Sequence, residues 1–336
     1  MGTITSQGSA ETTDRRKRRG HQYHADAHLL SGVLERPIMQ SIPQQAQLSL
    51  LDWRGGHLYQ RVQGYDLEGL LSFKSGYTRV SGYRSERKHA FVTIATSVIE
   101  GLNVFDVLTA DRVVAQVTTS HPEPHGDDLG HVPNVTFLGT QFANLKISGY
   151  DVNLTVNPEI CGERPANDVP YLFDEEFLND VRTQADQIVQ FADVPKGLKA
   201  QSIGLQKVYQ DDLDEIQLLN KEIQFLKEKD NKNEKEYRVD DKPYKLNCSL
   251  VEEIILPKAI PGVTVVRNVM YVRDFGIVTL GNVAVGRKDE RDKTDPKADP
   301  EMSNYFEINM FDLRLGCVGE GRITAASGSG NGIGKP

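Results

Sequence analysis

The sequence predicts a mainly β protein of sandwich-like architecture, in which two related β units are separated by an inserted α-helical hairpin. Two long segments, 90–118 and 263–286, are rich in valine, isoleucine and threonine, the residues that favour strands. Residues 171–240 instead repeat apolar side chains at helical spacing. The chain has 336 residues, which is enough to bury a substantial core.

The first β unit is predicted over residues 21–165, after a polar and basic tail at 1–20 that we expect to be disordered. Short alternating segments separated by turn residues fill its first part. Its most apolar stretch, 90–118, predicts three strands, because Glu100-Gly101 and Asp106 interrupt it. The three predicted strands are 91–99, 102–106 and 112–118. A polar loop at 119–131 and further strands at 133–138 and 142–156 complete the unit.

The helical hairpin is predicted from two amphipathic patterns. Asp174 precedes the first pattern as an N-cap, and Glu175 and Glu176 follow it in the first turn, where negative charge is favoured. Pro195 and Gly197 separate the two helices. In the second helix the apolar residues recur at spacings of three and four, namely Tyr209, Leu213, Ile216, Leu219, Ile223 and Leu226. Residues 228–241 are predicted to be a frayed, charged exit.

The second β unit is predicted over 245–326, packed on the first unit, with a charged loop at 287–303. The glycine-rich end at 327–336 is predicted to be a flexible tail. It lacks the Gly and Ser/Thr positions of a phosphate-binding loop, and no helix follows it. The two units look like copies of one pattern, with Asn144-Leu145 and Asp312-Leu313 at equivalent places.

Two segments carry a resemblance to known proteins. They are SVIEGLNVFDVLTADRVVAQVTT at 97–119 and VTFLGTQFANLKISGYDV at 135–152. Together they resemble a group of β-rich bacterial proteins of unassigned function, and they are similar to the choice-of-anchor type of surface domain. The resemblance implies an all-β core and brings no catalytic motif with it.

The histidines are the strongest candidates for chemistry, because all eight lie between residues 21 and 131. On a strand, His24, Asp26 and His28 would share one face. A second group on the loop contains His121, His125, Asp127, Asp128 and His131. If the two groups meet, His24, His28, His121 and His125 could bind zinc, since imidazole and carboxylate suit that ion. The alternative is a surface loop and a strand that contain histidines without a shared role.

Other chemical signatures are weak. The sequence has no nucleophile elbow, and Cys161, Cys248 and Cys317 are far apart, which favours buried thiols over a disulfide scaffold. The net charge is −8, so we expect no nucleic acid to bind the folded body. No apolar run reaches membrane-spanning length and no signal peptide is evident. We therefore expect a cytoplasmic protein, one exported by a route without such a signal, or one whose signal has been removed.

Two function hypotheses from different classes follow. The first is a non-enzymatic structural or interaction protein without a cofactor, which binds a protein partner or self-associates through its β edges or the helical hairpin. The second is a metal-dependent hydrolase that uses the four histidines with zinc. A purified protein with stoichiometric zinc would favour the hydrolase, whereas association into oligomers would favour the interaction protein.

Overall fold

A computed structural model describes residues 21–125, 130–230, 243–289, 302–316 and 320–334 of the chain. The predicted fold class is confirmed: the protein is mainly β, with several antiparallel sheets and an inserted helical region. The strands before the helices are β1 (His21–Arg36), β2 (Gln40–Ile42), β3 (Leu48–Asp52), β4 (Gly56–Val62), β5 (Tyr65–Leu67), β6 (Leu71–Phe73), β7 (Ser75–Ser85), β8 (Ala90–Val104), β9 (Leu108–Pro122), β10 (Asn134–Thr136), β11 (Gln141–Ala143), β12 (Lys146–Ile147), β13 (Tyr150–Asp151) and β14 (Asn153–Val156).

Two short 3-10 turns at Ala166–Asp168 and Tyr171–Phe173 lead into the helices α1 (Glu175–Val189) and α2 (Lys199–Asp230). The strands after the helices are β15 (Tyr244–Ser249), β16 (Val251–Ile255), β17 (Val263–Val266), β18 (Val269–Val272), β19 (Gly276–Asp289), β20 (Met302–Leu315) and β21 (Glu320–Gly334). Neither of the two described helices combines the length and the apolar composition that crossing a membrane requires.

Two large antiparallel sheets form the body of the protein. Sheet A has the strand order β17-β18-β19-β20-β21-β1-β2, with β15 added to β19 and β3 added to β1. Sheet B is built around the hairpin of β8 and β9 and contains strands β4 to β13, while β14 and β16 pair separately. Residues of both sheets belong to one core cluster, which includes Leu29 and Phe306 from sheet A and Ile99 and Val117 from sheet B.

The sheets do not follow the predicted division into units at 21–165 and 245–326. β1 comes from the first unit, but it pairs along its length with β21 at the other end of the chain. The internal repeat is also not reflected at its key positions. Asn144 lies between β11 and β12 with a φ of 50°, whereas Asp312 lies within β20.

Residues 90–118 form parts of two long strands rather than the three predicted ones. Glu100 and Gly101 do not end a strand: β8 continues through them, and its pairing with β9 keeps the same register on both sides. Gly101 adopts a φ of 65°, a conformation that glycine reaches without steric cost. The sequence break at Asp106 is the turn between β8 and β9, where Phe105 and Asp106 both have a φ of 54°.

Sheet A contains a matched irregularity across four strands. Within the described ladder, pairing is interrupted at Leu29 of β1, Ala326 of β21, Met310 of β20 and Gly281 of β19. These residues form one transverse row, and Ala326 and Gly281 have positive φ values of 52° and 58°. In each strand, the alternating set of side chains that faces the core before this row faces outward after it. The outer face of sheet A is therefore formed by different alternating residues on the two sides of the row.

The prediction of a flexible tail at 327–336 is wrong for the part that the structure describes. Residues up to Gly334 belong to β21, which lies between β1 and β20. The glycines alternate along the strand and face sheet B: a Cβ at Gly328 would lie 3.5 Å from Cβ of Ala95, and one at Gly330 would lie 3.3 Å from Cγ2 of Thr119. Glycine therefore permits a close approach of the two sheets here, and strand pairing supplies the order that the composition did not suggest.

The helical hairpin packs across the edge of sheet A. The side chain of Asp174 accepts a hydrogen bond from the backbone N–H of Phe177 at 2.9 Å, which confirms the predicted N-cap. Leu205, Tyr209 and Leu213 of α2 pack against Tyr271 in a second apolar cluster. The next turns of α2 contribute Ile216, Leu219 and Ile223 to the main core. The predicted charged exit after 230 and most of the predicted loop at 287–303 lie outside the described residues.

Candidate functional site

A polar pocket lies on the outer face of sheet A, and β1 supplies its first wall. Alternate residues of β1 face opposite sides of the sheet, so Tyr23 and Ala25 are buried in the core, whereas His24, Asp26 and His28 face outward. The predicted shared face of these three residues is therefore present. The Nε2 atom of His24 lies 2.9 Å from Oδ2 of Asp26.

Neighbouring strands extend this wall in transverse rows. Asp26 pairs with Ser329 of β21, which pairs with Glu307 of β20, so all three side chains share the outer face. The next row consists of His28, Ser327 and Asn309. The pocket has a volume of about 360 Å³. It is lined by His24, Asp26, Ala27, His28, Gln44, Gln47, Tyr305, Glu307, Ser327, Gly328, Ser329 and Gly330.

Internal hydrogen bonds hold the polar groups of the pocket in place. The Ser329 hydroxyl donates to Oδ2 of Asp26 at 3.4 Å, and the Ser327 hydroxyl donates to the side-chain oxygen of Asn309. Asn309 in turn donates through Nδ2 to Oε1 of Glu307 at 3.1 Å. Each serine hydroxyl therefore donates its one hydrogen to a neighbouring side chain and presents its oxygen lone pairs to the pocket.

The pKa values reflect this setting. Burial alone would raise the pKa of Asp26, but hydrogen bonds from His24, Ser49 and Ser329 bring it below its usual value, so Asp26 is a carboxylate. Burial lowers the pKa of His28, although the nearby carboxylates of Glu307 and Asp26 act in the opposite direction. His28 is therefore a neutral imidazole at pH 7, with its Nε2 atom 3.2 Å from the Ser31 hydroxyl.

The four histidines of the predicted zinc site are not brought together. His24 and His28 face outward, whereas His121 is buried on the opposite side of the sheet structure, between sheets A and B. His125 is exposed beyond the end of β9. Within the described ranges, no group of three or more His, Cys, Asp or Glu side chains is arranged to hold a metal ion. The loop residues Asp127 and Asp128 lie outside those ranges.

His121 instead forms a buried contact with His21. Their ring centroids lie 4.9 Å apart, and His21 stacks on Phe91 at 4.6 Å. Nδ1 of His121 lies 3.1 Å from the carbonyl oxygen of Gly130. Burial lowers the pKa of His21 to about 3, and burial also lowers that of His121 to about 4, so both rings are neutral at pH 7. This pair is part of the core between the sheets.

Sequence analysis did not identify Glu307, Ser327 and Ser329, which complete the pocket. A usable signal was the alternation in Phe306-Glu307-Ile308-Asn309-Met310, which places polar residues on one face of a strand. The second signal was the alternation of serine and glycine in the segment predicted to be flexible. Neither signal shows that these strands flank β1, because that neighbour relation depends on long-range pairing.

A second candidate site is the free edge of sheet B. β4 pairs with β7 from Gly56 to Val62 without a register shift, and in the described part of the chain no strand pairs with its other edge. Six of its seven residues are exposed. Leu58 and Tyr59 are among the large exposed apolar residues, at 38% and 54%. Arg61 is the only Lys, Arg, Asp or Glu residue in the strand, and β4 contains no proline.

The edge of β15, unlike the edge of β4, is covered by side chains of the helical hairpin. The backbone N–H of Ser249 donates to Oε1 of Gln184 on α1 at 2.8 Å. The backbone N–H of Asn247 donates to Oδ1 of Asp212 on α2 at 3.3 Å, and the Asn247 side chain adds a bond at 3.0 Å. The hairpin thus satisfies two donors of an edge strand that pairs otherwise with β19.

The fold and these two sites define the chain as an antiparallel β-sandwich protein with a helical hairpin over one sheet edge. Its sequence matches the family described as "Domain of unknown function (DUF8256)" over residues 21–286, and the chain belongs to that family. The comparisons with curated proteins and with solved structures give no match. The family match ends inside β19, before β20 and β21.

Proposed function

We propose that this protein is a non-enzymatic interaction protein that associates by adding a strand to the open edge of β4, in the first instance from a second copy of the chain. The observation that supports this proposal is the contrast between the two edges. The hairpin side chains of Gln184 and Asp212 cap β15, whereas β4 is exposed and unpaired on one side within the described residues.

Edge strands of monomeric proteins usually carry protection against pairing, such as proline, a bulge or an inward-facing charge. β4 has an uninterrupted register and presents Leu58 and Tyr59 at its surface. Tyr59 also lies beside Tyr77 of β7, with ring centroids 5.7 Å apart, which extends an aromatic surface next to the edge. Strand addition supplies main-chain hydrogen bonds, and such side chains supply apolar contact.

Residues 97–119 and 135–152 carry the resemblance to surface domains, which implies an all-β core and brings no catalytic motif. Those segments form the central strands and the adjoining short strands of sheet B, the same sheet that ends in β4. They position the edge and do not supply reactive groups to it.

The test is the oligomeric state, measured by size-exclusion chromatography with light scattering over a range of concentrations. We expect the unmodified protein to form dimers or larger assemblies, and we expect the double variant Leu58→Lys/Tyr59→Lys to be a monomer with an unchanged circular dichroism spectrum. Leu218 on α2 is 56% exposed, so Leu218→Lys is a matched control that should leave association unchanged.

Two outcomes would overturn the proposal. A strictly monomeric protein at all concentrations, with no partner strand captured by cross-linking at β4, would remove its basis. Association that survives the β4 substitutions and disappears in Leu218→Lys would assign the interface to the helical hairpin instead.

A further inference from the structure

The pocket on sheet A is lined by acidic side chains, whereas the edge strand β4 contains none. Its described lining includes the carboxylates Asp26 and Glu307, and no lysine or arginine lines it. His28 is neutral at pH 7, while His24 contacts Asp26, with its Nε2 atom 2.9 Å from Oδ2. The hydroxyls of Ser327 and Ser329 act as donors within the wall and present lone pairs outward. The pocket is therefore rich in acceptors and negative in charge.

The two carboxylates are separated by one strand. Asp26 lies on β1 and Glu307 on β20, with Ser329 of β21 paired to both. Neighbouring strands are about 4.8 Å apart, so the backbones that carry the two acids are roughly 10 Å apart. Among the described residues, no group of three or more His, Cys, Asp or Glu side chains is arranged to hold a metal ion.

We propose that this pocket binds a small linear diamine, with one ammonium group at Asp26, the other at Glu307, and the carbon chain across Ser329. Each ammonium group has three donors, which match the carboxylate and hydroxyl oxygens of the wall. The volume of about 360 Å³ accommodates an organic molecule of this size. Gln44, Gln47 and Tyr305 also line the pocket and would lie beside the carbon chain of the diamine.

The bonds that orient the carboxylates favour binding without rearrangement. His24 and Ser329 hold Asp26, and Asn309 holds Glu307. A preorganised pair of acids loses little side-chain entropy when the ligand binds. The interaction is electrostatic and partly exposed to water, so it should weaken as the salt concentration rises.

The experiment is calorimetric titration of the full chain at low salt with putrescine, butylamine and 1,4-butanediol. We expect putrescine to bind at least tenfold more tightly than butylamine, and we expect the uncharged diol not to bind. This comparison uses the unmodified protein and does not depend on any variant folding correctly. Equal affinity for the diamine and the monoamine would overturn the two-ended mode, and absence of putrescine binding would overturn the proposal.

Variants then assign the site. Asp26→Asn and Glu307→Gln should each weaken putrescine binding at least tenfold, with thermal unfolding as the check on folding. Glu35→Gln removes the same charge from an exposed position on β1 outside the pocket and should leave the affinity unchanged. If Asp26→Asn and Glu307→Gln bind as well as the unmodified protein, the pocket is not the site.

The ammonium chemistry has a second source, a lysine side chain of another protein. Titration with a short peptide that contains two lysines separates the two cases. Binding of that peptide in the absence of putrescine binding would overturn the small-molecule assignment. Putrescine binding does not involve β4, so the Leu58→Lys/Tyr59→Lys variant should bind putrescine with unchanged affinity.

Discussion

The side chain of Gln184 on α1 accepts a hydrogen bond from the backbone N–H of Ser249 on β15 at 2.8 Å, and both residues are buried. This bond joins the helical hairpin to the edge of sheet A at a point that water does not reach. Replacing Gln184 by alanine would leave a buried N–H without its partner. Loss of a buried hydrogen-bond partner typically costs about 1–3 kcal/mol.

We therefore expect Gln184→Ala to lower the free energy of unfolding by that amount, as measured by urea denaturation. Gln210→Ala is the matched control: Gln210 lies on the exposed side of α2, where its Nε2 donates to Asp214 at 3.0 Å. Its loss should change stability by less than about 0.5 kcal/mol. Equal effects of the two substitutions would contradict a specific role for the edge bond.

Asp212 should make stability fall as the pH rises towards 7. Burial raises the pKa of Asp212 to about 7, and the hydrogen bonds from Asn247 only partly oppose this. The folded protein therefore holds a proton that the unfolded chain releases near pH 4, so this contribution is present at low pH and is lost through pH 7.

Asp212→Asn removes the titration and keeps the shape. Relative to this variant, the unmodified protein should lose on the order of 2 kcal/mol between pH 5 and pH 8, measured as the free energy of unfolding. Asp214→Asn on the same helix, at an exposed position, is the control and should follow the unmodified profile. A constant difference between the unmodified protein and Asp212→Asn at all pH values would refute the linkage.

His21 and His121 should have the opposite effect at acidic pH. Their folded pKa values, about 3 and about 4, lie below the ordinary histidine value of 6.5 because both rings are buried. The unfolded chain binds protons below pH 6.5 that the folded protein excludes, so stability is full above that pH and declines below it.

Each ring should contribute a loss of about 2 kcal/mol between pH 7 and pH 5. We expect His21→Phe, which keeps an aromatic ring against Phe91, to reduce this loss when unfolding is followed at both pH values. His57→Gln changes a histidine on the exposed strand β4 and should have no such effect. An unchanged acid profile in His21→Phe would show that His21 is not a source of the dependence.

The glycines of β21 allow the two sheets to approach closely. A valine substitution tests whether this steric requirement outweighs the strand propensity of valine. Gly330→Val should destabilise the protein by about 1–3 kcal/mol because its side chain meets Thr119, although valine favours strands over glycine. Ser329→Val places the same side chain on the outer face and should cost less. The check is thermal unfolding of the two variants, and a more stable Gly330→Val would contradict the close approach.

The fold class was predictable because it depends on local patterns. The strand composition of 90–118, the N-cap Asp174 and the helical period of α2 are all visible in the sequence. Strand neighbours were not predictable: β21 has glycine at alternate positions, a composition typical of loops, and its order comes from pairing with β1 and β20. The pocket could be only half predicted for the same reason. His24, Asp26 and His28 are close in sequence, whereas Glu307 and Ser329 reach them through β21.

The boundary of the family match gives a further prediction. A fragment of residues 21–286 ends within β19 and lacks both β20 and β21, which lie between β19 and β1 in sheet A. We expect this fragment to be unfolded or aggregated, with no dispersed amide signals in a proton–nitrogen correlation spectrum. A fragment of residues 21–334 should give a dispersed spectrum. A well-dispersed spectrum from the shorter fragment would show that the matched segment folds alone.

The pairing of β1 with β21 also constrains how the molecule is made. Asp26 and Ser329 are bonded neighbours in sheet A, yet 303 residues separate them along the chain. During synthesis on the ribosome, β1 can pair with β2 and β3 early, but its ladder with β21 forms only after residues 320–334 have been made. Contacts of such long sequence separation slow folding. Until then the edge of β1 that pairs with β21 stays without its partner strand, although the apolar face of β1 can already pack on β7 and β8 of sheet B.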